Sequence, residues 1–262
     1  MNPMPRSSTV DPIAEALVAL VARAGSGVVV DVGGGSGTRA VPLALLGCTV
    51  VVVDSSIDAL AILGRRAADA GVAGRVTGRQ ADAAALATVV PPGSADLVLC
   101  HHLLETVDDA AATVAGITAA LKPGGIASVL VAGRYAAVLA QAAVGRFGDA
   151  AAILADPDGR FGAQDLLRRR FDVDGLDLLL REGGLHTESI TGLGVLSAVP
   201  MGGHRPGRPG PGAPTGPRAP SASGTPGGPL EPPVAELEAQ LSRHHALREI
   251  ATDLHAVASR AG

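Results

Sequence analysis

The run Val28-Val-Val-Asp-Val-Gly-Gly-Gly-Ser-Gly37 constrains the fold of this chain more than any other stretch. A buried β-branched run reads as a strand, and it ends in an acid just before a glycine-dense turn. Gly33, Gly34, Gly35 and Gly37 let the backbone turn tightly and approach a ligand where a Cβ would clash. Ser36 and Thr38 are expected to cap a helix running from Arg39 to Leu46. Strand, glycine loop and helix N-terminus in succession make a nucleotide cradle.

From that cradle onward strands and helices alternate, which predicts an α/β fold with a mostly parallel, doubly wound, Rossmann-like sheet covered on both faces. The expected strands are Val28–Val32, Thr49–Asp54, Arg75–Gln80, Ala95–Cys100 and Ile126–Val131. The expected helices between them are Thr38–Leu46, Ile57–Ala70, a short one at Ala84–Val89, and Asp109–Leu121. A first helix begins at Asp11-Pro-Ile and reaches Arg23, with Asp11 as N-cap. Beyond Ala132, helices are expected at Tyr135–Val144, Gly162–Arg170 and Asp174–Glu182, forming a lid over the open end of the sheet. Arg134, Tyr135, Arg160 and Arg168 are the polar side chains this lid offers an acceptor. Leu185 to Val199 reads as a late strand.

The chain divides into a tail at 1–10, a main domain at 11–199, an insertion at 200–233 and a closing segment at 234–262. In the insertion, 20 of 34 residues are Pro or Gly, too few apolar groups to offset ordering, so it is expected to be disordered. The closing segment carries apolar residues at helical spacing up to about Thr252, then Leu254–Ser259 as a final strand.

Hydrophobic residues make up 47% of the chain but aromatics only 2%, so the core must be aliphatic. The net charge of −4 gives no global basic field for nucleic acid. Cys48 and Cys100 sit in apolar runs and read as buried thiols of a reducing, cytoplasmic compartment. Ile13 to Ala22 is interrupted by Glu15 and too short for a bilayer, so no membrane association is expected. No His, Cys or acid cluster has metal-ligand spacing, and oligomeric state is left open.

The acids at the strand ends choose among nucleotides. Asp31 would repel a pyrophosphate but welcome a cation, and S-adenosylmethionine (SAM) carries a sulfonium and an ammonium. Asp54, followed by Ser55, ends the second strand where a carboxylate accepts from both ribose hydroxyls. Asp82 can accept from an adenine amine, with the Ala83 backbone meeting the ring nitrogen. Cys100, His101 and His102 end the fourth strand, where the reacting centre or the methionine part of the cofactor is expected, and one histidine is the candidate general base. A carboxylate acceptor would need no base.

The ordered set Asp31-x-Gly-Gly-Gly-Ser-Gly37, Asp54, Asp82, Asp96-Leu-Val-Leu-Cys-His-His-Leu-Leu-Glu105 and Leu121-Lys-Pro-Gly-Gly125 resembles class I SAM-dependent methyltransferases. The resemblance implies a seven-stranded sheet with an antiparallel last strand, SAM as cofactor, and in-line methyl transfer to an oxygen or nitrogen. A narrower likeness, to bacterial methyltransferases of the tRNA wobble carboxymethoxyuridine, implies a carboxylate acceptor on tRNA; a small-molecule acceptor is the alternative. The rival readings are an NAD(P)-dependent oxidoreductase and a non-catalytic SAM-binding module. The first lacks a catalytic Tyr-x-x-x-Lys, because Tyr135 is the only tyrosine and Lys122 the only lysine.

Overall fold

Valine-rich runs with few polar interruptions need cover on both faces, and the computed structural model builds one seven-stranded sheet that provides it. The structure describes residues 12–25, 27–198 and 232–262. The N-terminal tail, the cap at Asp11 and the Pro/Gly-rich insertion up to residue 231 lie outside them.

The strands are β1 (Val28–Val32), β2 (Thr49–Asp54), β3 (Val76–Gln80), β4 (Ala95–His101), β5 (Leu121–Ala132), β6 (Leu185–Leu193) and β7 (Asp253–Arg260). Their order is β3-β2-β1-β4-β5-β7-β6. β7 runs antiparallel to both its neighbours and the remaining pairings are parallel, as the family resemblance implies. The sheet order reverses between β1 and β4, which opens a crevice at the carboxyl ends of the strands.

Nine helices pack around this sheet among the described residues: α1 (Pro12–Ala24), α2 (Ala40–Leu45), α3 (Ile57–Asp69), α4 (Ala110–Ala120), α5 (Arg134–Ala143), α6 (Phe147–Ala155), α7 (Val173–Glu182), α8 (Val195–Ala198) and α9 (Pro232–Leu241). One core lies between the sheet and α1, α2 and α3, through Leu17, Leu43, Leu63, Leu97 and Leu99. The other lies between the sheet and α4 and α7, through Val98, Val114, Ile117, Leu176 and Leu180. Alternation along each strand assigns side chains to one core or the other.

Four expectations need correction. Ser36 and Thr38 do not cap α2; its N-cap is Arg39, which makes no side-chain capping bond, while the Ser36 hydroxyl accepts from Arg66 at 2.8 Å. Residues Gly162–Arg170 are irregular, because the Asp165 carboxylate accepts from the Phe161 and Leu167 amides and pairs with Arg170 at 2.5 Å. Such side-chain bonds to the backbone compete with a helical ladder. The last long helix stops at Leu241 rather than Thr252, since the Ser242 carbonyl accepts from Gly192 and the chain turns onto β6. The late strand ends at Leu193, and Val195–Ala198 is a helical turn whose first amides are bound by Glu238 of α9 at 2.7 and 2.9 Å.

Candidate functional site

β1 delivers the glycine loop to the crevice. The Gly33 amide donates to the Val53 carbonyl at 2.7 Å, so the loop is pinned to β2 as soon as the strand ends. Gly33, Gly35 and Gly37 have φ of 73°, 55° and 80°, the left-handed region that favours glycine. A Cβ on Gly33 would sit 2.9 Å from a Leu103 methyl, and one on Gly34 would fall on the Asp31 carboxylate. The loop is therefore folded down onto its own acid.

Asp31 shares a face with Val29, toward α2 and α3, and is only 2% exposed. Its Oδ2 has no hydrogen-bond partner. Burial pushes this carboxyl up to about 7; the Arg39 charge pulls against that and Asp54 adds to it. A buried acid with an unfilled oxygen under a glycine loop is an incomplete arrangement of a kind that a cationic group completes.

Beside the loop lies a cavity of about 460 Å³ whose wall includes Gly33, Asp54, Ser55, Asp82, Ala83 and Leu103. Asp54 accepts from the Gly35 amide with Oδ2 and from the Ser56 amide with Oδ1, each at 2.9 Å. It thus fixes the loop to the end of β2 while facing the cavity. Asp82 caps the 3-10 turn Ala83–Thr88 by accepting from Ala84 at 2.9 Å. Val53, Ala81 and Val107 give the same cavity apolar walls. Gly34, Gly35, Gly37 and Asp31 shape the floor of the loop without lining the cavity.

The end of β4 separates three neighbours that look equivalent in the sequence. Cys100 is fully buried in the core against α4 and α7, and burial drives its thiol far up, so its side chain does not line the cavity. His101 turns to the opposite face, where its Nε2 bonds the Ser128 hydroxyl at 3.0 Å. That hydroxyl also bonds Nε2 of the buried His255 at 2.8 Å. His102 leaves the strand with φ of 52°, the one positive value at a non-glycine among the described residues. Its Nδ1 meets the buried Glu105 carboxylate at 3.0 Å, and its Nε2 lies 3.8 Å from Asp253. The hydrogen bond to Glu105 holds His102 above its usual range.

Glu105, Asp253 and Leu103 join the neighbourhood of the site without being among the residues expected there. An acid three residues after a histidine, just past a strand end, is the signal that marks Glu105. Asp253 comes from the far end of the chain and carries no local signal.

His255 brings a pH dependence of its own. Burial pulls it down to about 4, from 6.5. Between these values the unfolded chain binds the extra proton, so stability is expected to fall by about 3 kcal/mol as pH drops from 6.5 to 4. Urea midpoints across this window check it, and His255→Gln should flatten that limb.

The acceptor-side arginines are mostly engaged. Arg134 donates to the carbonyls of Ile153, Leu154, Asp156 and Pro157, which ties α5 to the end of α6. Arg168 donates to the Thr106 carbonyl and pairs with Asp108. Among the described residues no cluster of His, Cys, Asp or Glu is arranged to hold a metal, and no helix is long and apolar enough to cross a membrane.

Comparison with known proteins agrees with this geometry. A family profile described as a methyltransferase domain matches residues 30–129, from the glycine-loop strand to the middle of β5. The chain is 40% identical over 97 residues to a ubiquinone biosynthesis O-methyltransferase of Ralstonia nicotianae, covering 37% of this chain and 40% of that protein. It is 30% identical over 165 residues to the protein of the same name from Xanthomonas euvesicatoria, covering 63% and 65%. The chain thus spans less than two thirds of either relative's length. An S-adenosylmethionine-dependent methyltransferase structure from Mesorhizobium loti superposes with a TM-score of 0.58 at 20% identity, covering 94% of this chain and 96% of that one. The narrower tRNA likeness finds no support in these relatives. Residues 30–129 match the methyltransferase-domain profile, and the sheet order and glycine loop around them are those that the resemblance to class I SAM-dependent methyltransferases implies.

Proposed function

We propose that this protein transfers a methyl group from SAM to an oxygen of a small-molecule acceptor. The observation that carries the reading is the pairing of an open cavity walled by Asp54 and Asp82 with a buried, unfilled Asp31 oxygen under the adjoining glycine loop. The residues fit the cofactor chemically. Asp54 would take the ribose hydroxyls, Asp82 and the Ala83 backbone the adenine edge, and Asp31 would balance the cationic methionine end. SAM, when bound, supplies a methyl group on a positively charged sulfur.

What remains for the protein is to hold an acceptor oxygen in line with that methyl group and to keep water away, which is mainly a matter of positioning. The O-methyltransferase names of the relatives support oxygen as the acceptor atom. The oxidoreductase alternative loses its lysine: Lys122 is bound to Asp96 at 2.6 Å, and Asp96 also accepts from Val28 at the amino end of β1, away from the cavity.

Calorimetry with SAM and with NADH tests the cofactor, and saturable binding of NADH alone would overturn it. Asp54→Ala is expected to weaken SAM binding at least about 100-fold, since two hydrogen bonds to a charged group are each worth about 1.5–3 kcal/mol. Unchanged affinity would reject the pocket. Labelled-methyl transfer into small phenols and into tRNA decides the acceptor class, and label confined to tRNA would refute the small-molecule reading.

A further inference from the structure

Among the described residues, two buried carboxylates leave an oxygen without a partner: Asp31, already placed, and Glu105. Glu105 is 2% exposed, beyond the end of β4. Its Oε1 is fixed from two sides, by the Ala132 amide at 2.9 Å and by Nδ1 of His102 at 3.0 Å. A buried carboxylate on one ring nitrogen sets the tautomer: Nδ1 carries the proton and Nε2 presents its lone pair. That nitrogen belongs to a side chain 53% exposed and lies 3.8 Å from Asp253.

The backbone is built to hold this pose. His102 adopts a left-handed φ of 52°, a conformation uncommon outside glycine and worth a look wherever it persists. Its amide is anchored to the Leu130 carbonyl of β5 at 2.8 Å. The next residue, Leu103, packs against Gly33 and walls the cavity, so the turn that carries His102 adjoins the wall of the proposed cofactor site without the imidazole itself lining it. Arg39, which follows the glycine loop, acts electrostatically on both Asp31 and His102. The two acids and the histidine thus belong to one neighbourhood.

Resting on the methyl-transfer reading above, we infer that His102 is a general base, positioned by Glu105, for an acceptor hydroxyl that arrives still protonated. A phenol is the substrate class this fits; a carboxylate, already ionised, would have no use for the base. In the transfer, the acceptor O–H proton passes to Nε2 of His102. The oxygen pair thereby released forms the bond to the methyl carbon, and the carbon–sulfur pair leaves with sulfur. The positive charge moves from sulfur to the imidazolium, between Glu105 and Asp253. His101 does not share this task, because its Nε2 is directed to Ser128.

The charges facing His102 are Glu105 and Asp253, which favour its proton, and Arg39, which opposes it. Catalysis by the neutral ring is therefore expected to rise with pH until His102 has lost its proton, above the ordinary histidine range.

The test uses His102→Asn, since asparagine tolerates a left-handed φ, and Glu105→Gln, which keeps volume. In the cofactor-free protein, NMR titration should show the His102 ring losing its proton above 6.5, and Glu105→Gln should bring it down. With two phenol acceptors, one neutral at assay pH and one acidified by a nitro group, His102→Asn should lower kcat/KM about 10²–10⁴-fold on the neutral phenol and far less on the ionised one. SAM affinity, read by calorimetry, should be retained in both variants. Equal losses on both phenols, no loss on either, or a His102 titration that ignores Glu105→Gln would overturn the inference. Failure of wild type to bind SAM would instead sink the underlying functional reading. If wild type binds SAM but methylates no phenol, the substrate class is refuted while the cofactor site stands.

Discussion

Replacing Asp31 with Asn is expected to raise the stability of this protein at pH 8 and to weaken its hold on SAM. In the unfolded chain this carboxyl titrates near 4, and in the fold near 7. Between those values the folded protein keeps a proton that the unfolded chain has lost, so stability from this group declines as pH rises through the window. Above pH 7 the ionised, buried carboxylate costs the fold on the order of 4 kcal/mol. Asn removes the charge at nearly constant volume. The gain in thermal midpoint should therefore be large at pH 8 and absent at pH 4. SAM affinity should move the other way: in wild type it should climb between pH 6 and 8 as Asp31 ionises, and in the variant it should be lower and flat. An unshifted midpoint at pH 8 would show that Asp31 bears no desolvation cost.

The same window contains the opposite contribution of His255, which adds stability as pH rises from 4 to 6.5. The two terms offset one another in wild type. Asp31→Asn should therefore expose the His255 limb as a steeper rise in stability across acid pH. A site residue that destabilises the fold it belongs to is what a binding function would maintain, because its ligand supplies the missing charge.

Sequence periodicity carried the sheet well and its surroundings less well. Four valine-rich or apolar runs, each ending near an acid or a glycine, mark β1, β2, β4 and β5, because a buried strand tolerates little else; β3, Val-Thr-Gly-Arg-Gln, is a mostly exposed edge strand marked by its place in the alternation of strands and helices. The α6 helix is weakly marked in the sequence, since Phe147-Gly-Asp-Ala-Ala-Ala-Ile-Leu-Ala155 has no N-cap side-chain bond and carries a glycine at its second position. Asp165 undid the helix expected around it through bonds that depend on Arg170 lying nearby in space. In the site, Asp54 and Asp82 were legible because strand ends in such a sheet meet the crevice. The difference between His101 and His102 was not, since it depends on where β4 stops and φ changes sign. Glu105 and Asp253 both reach His102 only because β7 inserts beside β5, a pairing that local spacing does not encode.

That junction is also where one added carbon should do most damage to the fold. Gly133 follows β5 directly, and its amide donates to the Thr252 carbonyl at 2.8 Å just before β7 begins. It bridges to Phe171 and serves as the N-cap of α5. A Cβ here would lie well inside contact distance of the Ala251 carbonyl oxygen, with the Thr252 carbonyl oxygen at 3.3 Å. Both are backbone atoms, so no rotamer change relieves the clash. Ala251 is fully buried and Thr252 is tied by its hydroxyl to the Leu193 carbonyl at 3.0 Å, which leaves the segment little room to retreat. Gly133→Ala is therefore expected to cost about 3 kcal/mol or more, at the high end for a single substitution. The effect should reach the site: displacing Ala251 and Thr252 moves Asp253, and strain on Ala132 loosens the amide that fixes Glu105. A urea midpoint measures the first effect, and His102 titration in the surviving folded fraction measures the second. Gly145→Ala is the control, because its Cβ meets no atom within 4 Å and leaves only the strain of its φ of 79°. It should cost much less and leave His102 untouched. Equal destabilisation by the two substitutions would mean that the β5–β7 junction yields to the extra carbon.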